Sequence, residues 1–266
     1  MSLSPPLSPS AVVTRLRAAG CVFAEDEADL LLAAARDAGH LFAMVESRAD
    51  GLPLEHVLGW AQFRGHRFAV DPGVFVPRRR TEFLVEQAVA LAPARAVVVD
   101  LCCGSGALGA ALAASLERVE LHAADVDPAA VRCARRNVAA AGGQVYEGDL
   151  FAPLPAATLR GRVDVLLANV PYVPTDEIDL LPPEARIHEA RVALDGGADG
   201  LDVLRRVTAD AGRWLAPGGH LLFETSERQV PRAVDTVVRG GLAPRVVTSE
   251  ELYVTVVIGT RAAPGE

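Results

Sequence analysis

From residue 96 onward the chain alternates short apolar runs with segments of helical period, and that rhythm limits the fold more than any other feature. The runs are AVVVDL from Ala96, ELHAADVD from Glu120, QVYEGDL from Gln144 and RVDVLLA from Arg162, with helices expected from Ser105 and Pro128. RVDVLLA is apolar enough for a strand buried on both faces, and strands joined through helices run parallel. An α/β fold with a Rossmann-like, doubly wound parallel sheet satisfies both conditions. Beyond it, Pro217-Gly218-Gly219 turns into a strand over His220 to Glu224. Arg245 to Thr248 and Tyr253 to Gly259 read as a closing antiparallel pair.

Upstream the period is helical. Residues 1–9 are rich in Ser and Pro, so disorder is expected there. Ser10 is a candidate N-cap for a helix over Ala11 to Ala19 that Gly20 ends. A second helix is expected over Glu25 to Ala38, with acids in its first turn and Gly39 after its last, and a third over His40 to Ala49. Phe63, Gly65, Phe68 and Val70 before Asp71-Pro72-Gly73 suggest a hairpin, and Thr81 an N-cap for Glu82 to Leu91. Three units follow: helices over 1–55, a hairpin linker over 56–80, and the α/β domain over 81–266.

With 266 residues, half of them hydrophobic, the chain can bury a large core and a smaller one. Acidic residues interrupt every long apolar run, so no membrane span is expected. The opening MSLSPPLSPS lacks a basic region followed by an apolar one, so no signal peptide is expected either. Cys21, Cys102, Cys103 and Cys133 show neither zinc-site spacing nor the density of a secreted scaffold, which suits a reducing cytoplasm. The net charge is −8 and all 26 basic residues are arginine, a balance that disfavours direct nucleic-acid binding.

Asn169-Val170-Pro171-Tyr172 follows the last of the apolar runs. Open α/β sheets bind ligands at such carboxyl ends. Asn169 offers a carboxamide that donates and accepts, and the Val170 carbonyl is a fixed acceptor beside it. Pro171 stiffens the turn and Tyr172 supplies a flat face. The set suits a planar NH2 group, with two acceptors for its protons and a ring for its face. It equally suits a plain loop leaving a strand, with Tyr172 capping the core.

The stretch from Asp100 through Cys102, Cys103, Gly104, Ser105 and Gly106 ends the first strand and opens a helix. Glycines there let the backbone approach a ligand, and a helix N-terminus favours negative charge. Gly104 to Gly109, with Asp125 downstream, matches the dinucleotide fingerprint, which makes NAD a competing ligand. Asp100 argues against it, because a carboxylate repels a pyrophosphate and favours an amino group. Asp149 adds a polar anchor where an adenine would sit. A ligand with a ribose, an adenine and a cationic amino-acid tail suits this line of carboxylates, and S-adenosylmethionine is that ligand. Asp125 is expected on the ribose, or else is a turn residue before Asp127-Pro128. Cys102 and Cys103 read as small turn residues.

On these residues the chain resembles the protein-(glutamine-N5) methyltransferases that act on bacterial release factors. PLEHVLG, FRGHRFAVDPGVFVPRRRTEFLVE, DLCCGSGALG, ADVDPAAVRCARRN, GDLF, NVPYVPT and PEARIHEARVALDGGADGLDVLRRV fall in that family's order. The tetrapeptide at 169–172 is the most specific mark, one shared with related amino-methylating enzymes. The resemblance implies a class I S-adenosylmethionine-dependent methyltransferase domain and a small helical N-terminal domain that grips a protein partner. It carries cofactor contacts to the turn from Cys102 to Gly106, Asp125, Leu150 and Asn169, and substrate contacts to Asn169 through Tyr172. The substrate implied is a glutamine in a release factor, methylated on its side-chain amide nitrogen with no metal.

Two other readings stand beside it. One is an adenine-N6 methyltransferase of nucleic acid, since such a tetrapeptide also holds an exocyclic base amine. The other is a cofactor-binding relative without catalysis. Three departures from the family are visible: Cys102 for Gly, Arg79-Arg80 for Pro-Asp, and Val170 for Pro. Cys102 implies a turn with negative φ there, or strain. Arg79-Arg80 is expected to bear on substrate choice.

Overall fold

The computed structural model describes residues 7–263. Residues 1–6, most of the stretch expected to be disordered, lie outside them. Three helices come first: α1 (Pro9–Ala18), α2 (Ala24–Ala34) and α3 (Ala38–Ala49). They close on one another through Val12, Leu16, Ala28, Leu31, Met44 and Val45, a core separate from that of the sheet. Their boundaries differ from expectation because of cap chemistry. Ser8 rather than Ser10 caps α1, its hydroxyl accepting from the Ala11 N–H at 3.2 Å, and Pro9 takes the first helical position that suits its fixed φ. Asp37 caps α3 by accepting from the His40 N–H at 2.8 Å, so Gly39 lies inside the third helix and α2 stops at Ala34. A short α4 (Leu54–Leu58), not foreseen, leads into the hairpin β1 (Trp60–Phe63) and β2 (His66–Ala69). Its turn residues Arg64 and Gly65 have φ of 47° and 78°, the positive pair that matches strand twist.

The larger unit begins with α5 (Glu82–Leu91). Seven strands then form one sheet: β3 (Arg95–Leu101), β4 (Arg118–Asp125), β5 (Gln144–Glu147), β6 (Val163–Ala168), β7 (Leu215–Thr225), β8 (Ala243–Ser249) and β9 (Val254–Thr260). Their order is β5-β4-β3-β6-β7-β9-β8, with β3 to β7 parallel and β9 antiparallel to both β7 and β8. The expected closing pair is therefore present. Connecting helices are α6 (Ala107–Ala114), α7 (Pro128–Val138), α8 (Ala156–Leu159), α9 (Pro183–His188), α10 (Asp202–Trp214) and α11 (Val230–Arg239).

The period of two sorts the strand residues into two cores. Val98, Val165, Leu167, Leu222, Val256 and Ile258 pack with α5 and α6. Their neighbours Val99, Leu166, Ala168, Leu221, Phe223 and Val257 pack with α10 and α11. Both faces are covered over the central strands, which is why β3 and β6 read as nearly continuous apolar runs, whereas the edge strands β5 and β8 hold no buried residue. No helix among the described residues is long and apolar enough to cross a membrane.

Strand order decides where a ligand can sit. After β3 the chain builds outward through β4 and β5, then returns to place β6 on the other side of β3. Loops therefore leave β3 and β6 in opposite directions and open a crevice at their carboxyl ends. Leu101 pairs with Ala124 on one side and Ala168 on the other, so Asp100, Asp125 and Asn169 emerge at the same edge.

Candidate active site

A cleft of about 470 Å³ opens at that edge. It is lined by Asp100, Cys102, Cys103, Gly104, Ser105, Asp125, Asp149, Leu150 and the whole of Asn169 to Tyr172. One expected cofactor contact is absent from this lining. Gly106, at φ 75°, faces the sheet helices, where an added Cβ would stand 3.0 Å from the Ala134 Cβ. Its lack of a side chain serves the close packing of α6 on α7. Gly109 plays a similar part towards β3, since a Cβ there would meet Asp100 Oδ2 at 3.0 Å.

Asp100 is 1% exposed. Its Oδ2 accepts from the Gly109 N–H at 2.9 Å, while its buried Oδ1 has no partner. Burial above all, opposed by that hydrogen bond and reinforced by Asp125, pushes its carboxyl up to about 7. An unpartnered buried acceptor is costly. A cation arriving in the cleft would satisfy it.

Asp125 also titrates above the ordinary carboxylate range, again through burial. Both oxygens hold the local backbone, Oδ2 accepting from Gly104 N–H at 2.8 Å and Oδ1 from Asp127 N–H at 2.9 Å. Asp125 therefore builds the turn, as one of its two readings has it, and it also lines the cleft. Asp149 lines the cleft, is half-exposed and is ion-paired with Arg206 on α10.

The turn after β3 is strained. Cys102 adopts φ 53°, so of the two outcomes expected there the strained one holds. Leu150 does the same in the turn after β5, at φ 49°. Each non-glycine residue in this region costs about 1–2 kcal/mol. Such outliers gather where a backbone must meet a ligand. Burial pushes both thiols, Cys102 and Cys103, well above the usual range, so they are inert packing groups.

Asn169 Oδ1 is likewise buried and unpartnered, and Asn169 shares the cleft with Asp100. Among the described residues no hydrogen bond reaches the Val170 carbonyl, and its N–H donates none. Val170 as a whole residue is 2% exposed, and its side chain belongs to the core beneath.

Tyr172 is held at both ends. Its carbonyl accepts from Gln229 Nε2 at 2.9 Å, and Gly200 makes room for this, since a Cβ there would lie 2.2 Å from that oxygen. Its hydroxyl donates to Glu224 Oε1 at 2.9 Å and accepts from Arg80 Nη2 at 2.6 Å. Burial, then the neighbouring Glu224 carboxylate, raises the phenol's pKa, so it stays neutral.

Sequence reasoning missed this surrounding shell. Thr81 does not cap α5, where its backbone is already helical; its hydroxyl donates to Glu224 Oε2 at 2.7 Å. Glu224 lies near the carboxyl end of β7, as Asp100 does on β3, and the same strand-end rule marks it. Glu189 had no such signal. It sits in a loop, yet it is buried, accepts from the Val76 N–H at 3.0 Å and pairs with Arg78 at 2.6 Å.

The chain matches known proteins in sequence and in fold. A family model described as "Methyltransferase small domain" matches residues 65–199. The release factor glutamine methyltransferase of Geobacter sulfurreducens is 37% identical over 220 residues, covering 82% of this chain and 76% of its own. That of Mycolicibacterium smegmatis is 40% identical over 210 residues, covering 79% and 74%. In structure, a methyltransferase from Pyrococcus furiosus superposes with TM-score 0.56 over 74% of this chain and 90% of its own, at 16% identity, a likeness of fold alone. The chain belongs to the release factor glutamine methyltransferase family, S-adenosylmethionine-dependent enzymes of the class I Rossmann-like fold.

Proposed function

We propose that this protein methylates the side-chain amide nitrogen of a glutamine in a peptide chain release factor, with S-adenosylmethionine as donor. The observation that carries the reading is the buried, unpartnered Asn169 Oδ1 beside a free Val170 carbonyl and the fixed ring of Tyr172. An amide nitrogen is a poor nucleophile because its lone pair is delocalised, so the site's task is orientation. Holding the reacting atoms in line contributes about 7–11 kcal/mol in favourable cases. Asn169 Oδ1 and the Val170 carbonyl accept the two N–H protons, and Tyr172 covers the flat face of the amide.

The cofactor supplies an electrophilic methyl group on a positively charged sulfur. The residues present fit it. Asp100 Oδ1 awaits a cation such as the amino group of the methionine tail. Asp125 offers its remaining lone pairs to ribose hydroxyls, and Leu150 and Asp149 flank the place for the adenine. The turn from Cys102 to Ser105 supplies backbone close to the ligand.

The three N-terminal helices serve the protein partner in this reading. Arg48 of α3 is 8% exposed and pairs with Glu27 at 2.6 Å and with Glu184 at 2.7 Å. Glu184 lies on α9, whose residues line the cleft, so the helical unit is tied to the rim a protein substrate must approach. The net charge of −8 weighs against nucleic acid as the substrate. The test is transfer of a labelled methyl group to a release factor, to the same factor with its target glutamine replaced by alanine, and to duplex DNA. Label on the intact factor alone is expected. Label on DNA, or on neither, overturns the reading.

A further inference from the structure

Glu224 is 4% exposed, and both of its oxygens are engaged. Oε2 accepts from Thr81 Oγ1 at 2.7 Å; Oε1 accepts from Arg80 Nε at 2.8 Å and from the Tyr172 hydroxyl at 2.9 Å. The same guanidinium places Nη2 2.6 Å from the Tyr172 oxygen. Arg80, Tyr172 and Glu224 thus close a triangle in which the phenol donates once and accepts once. With Glu224 alone, the ring could pivot about a single hydrogen bond. The planar fork of an arginine meets two oxygens at once, which an ammonium on a flexible stem does not.

We propose that Arg80 is a positioning residue for methyl transfer: it sets the plane of the Tyr172 ring against which the substrate amide lies. It acts through the Tyr172 hydroxyl and touches no reacting atom. The inference rests on the reading of Asn169 to Tyr172 as the amide site.

Arg80→Lys keeps a cation near Glu224 but cannot occupy both the Nε and Nη2 places. It should lower kcat for release-factor methylation by about tenfold, while KM for the protein and the affinity for S-adenosylmethionine stay unchanged. In a Tyr172→Phe background, with no hydroxyl to hold, Arg80→Lys should cost nothing further. Should Arg80→Ala fail to fold with Glu224 left buried and unpaired, the double variant Arg80→Met with Glu224→Gln removes both charges and should reproduce the loss in kcat. An equal loss in both tyrosine backgrounds, or a loss confined to KM, overturns the proposal.

A second readout needs no turnover. The chain has three tyrosines, so NMR of ring-labelled tyrosine resolves Tyr172. Slow ring flipping is expected in the natural protein and faster flipping in Arg80→Lys; identical spectra overturn the clamp. An inactive natural protein, by contrast, refutes the methylation reading and leaves this measurement decisive for Arg80.

Discussion

Asn169 and Val170 are neighbours on which the site makes opposite demands. Asn169 contributes a side-chain oxygen that is buried and unpartnered, whereas Val170 contributes only its carbonyl, its side chain being in the core. Asn169→Asp brings a charge beside the cofactor and removes a donor, at a cost of about 1–3 kcal/mol. Single-turnover methylation should fall at least about tenfold. Val170→Pro keeps the carbonyl and removes an N–H that donates no hydrogen bond among the described residues, so most of the rate should survive. A dead Val170→Pro beside an active Asn169→Asp would refute the amide cradle.

Asp100 supports a second residue-scale prediction. Its folded pKa, about 7, lies above the value of an unfolded aspartate, about 3.9. The folded protein therefore holds a proton that the unfolded chain has released, and Asp100's contribution to stability, full below pH 4, is lost as pH rises through 7. A cationic ligand prefers the ionised form. Affinity for S-adenosylmethionine should rise between pH 6 and 8, with proton release on binding, and calorimetry in buffers of different ionisation enthalpy reads both. Asp100→Asn should bind weakly and show no such dependence.

At the scale of elements, the turns after β3 and β5 carry the strain. Cys102 at φ 53° forgoes about 1 kcal/mol that glycine would not. Cys102→Gly should raise the melting temperature by about 2–4 °C, less what its packing in the core contributes. Cys102→Val, β-branched at a positive φ, should lower it, and thermal unfolding monitored by circular dichroism distinguishes the two. A Cys102→Gly that melts markedly lower would show that packing of the thiol outweighs the backbone. Local chemistry made these elements legible and also misled at their ends. Thr81 precedes a helix as an N-cap would, yet its hydroxyl serves Glu224, 143 residues away. Gly106 lies in a glycine-rich turn but is required by the packing of α6 on α7.

At the scale of the whole molecule, the helical unit and the α/β unit meet through a polar contact. Arg48 of α3 pairs with Glu27 of α2 and, across the boundary, with Glu184 of α9. Deleting residues 1–50 should spare cofactor binding, whose residues all lie beyond Arg95, and abolish methylation of an intact release factor. Full activity of the folded truncated chain would give the helices some other task. What the sequence by itself determined is what repeats locally: strand and helix alternation, the apolar period, and the polar residues that end β3, β4 and β6. Those signals depend on a few neighbouring residues and on rules of burial that any chain obeys. What only the tertiary structure decided is the joining of Arg80, Thr81, Tyr172 and Glu224, or of Arg78 and Glu189. Polar pairing across 52 to 144 residues of chain leaves no periodic trace, because the partners are chosen by strand order and by the need of each buried carboxylate for a donor.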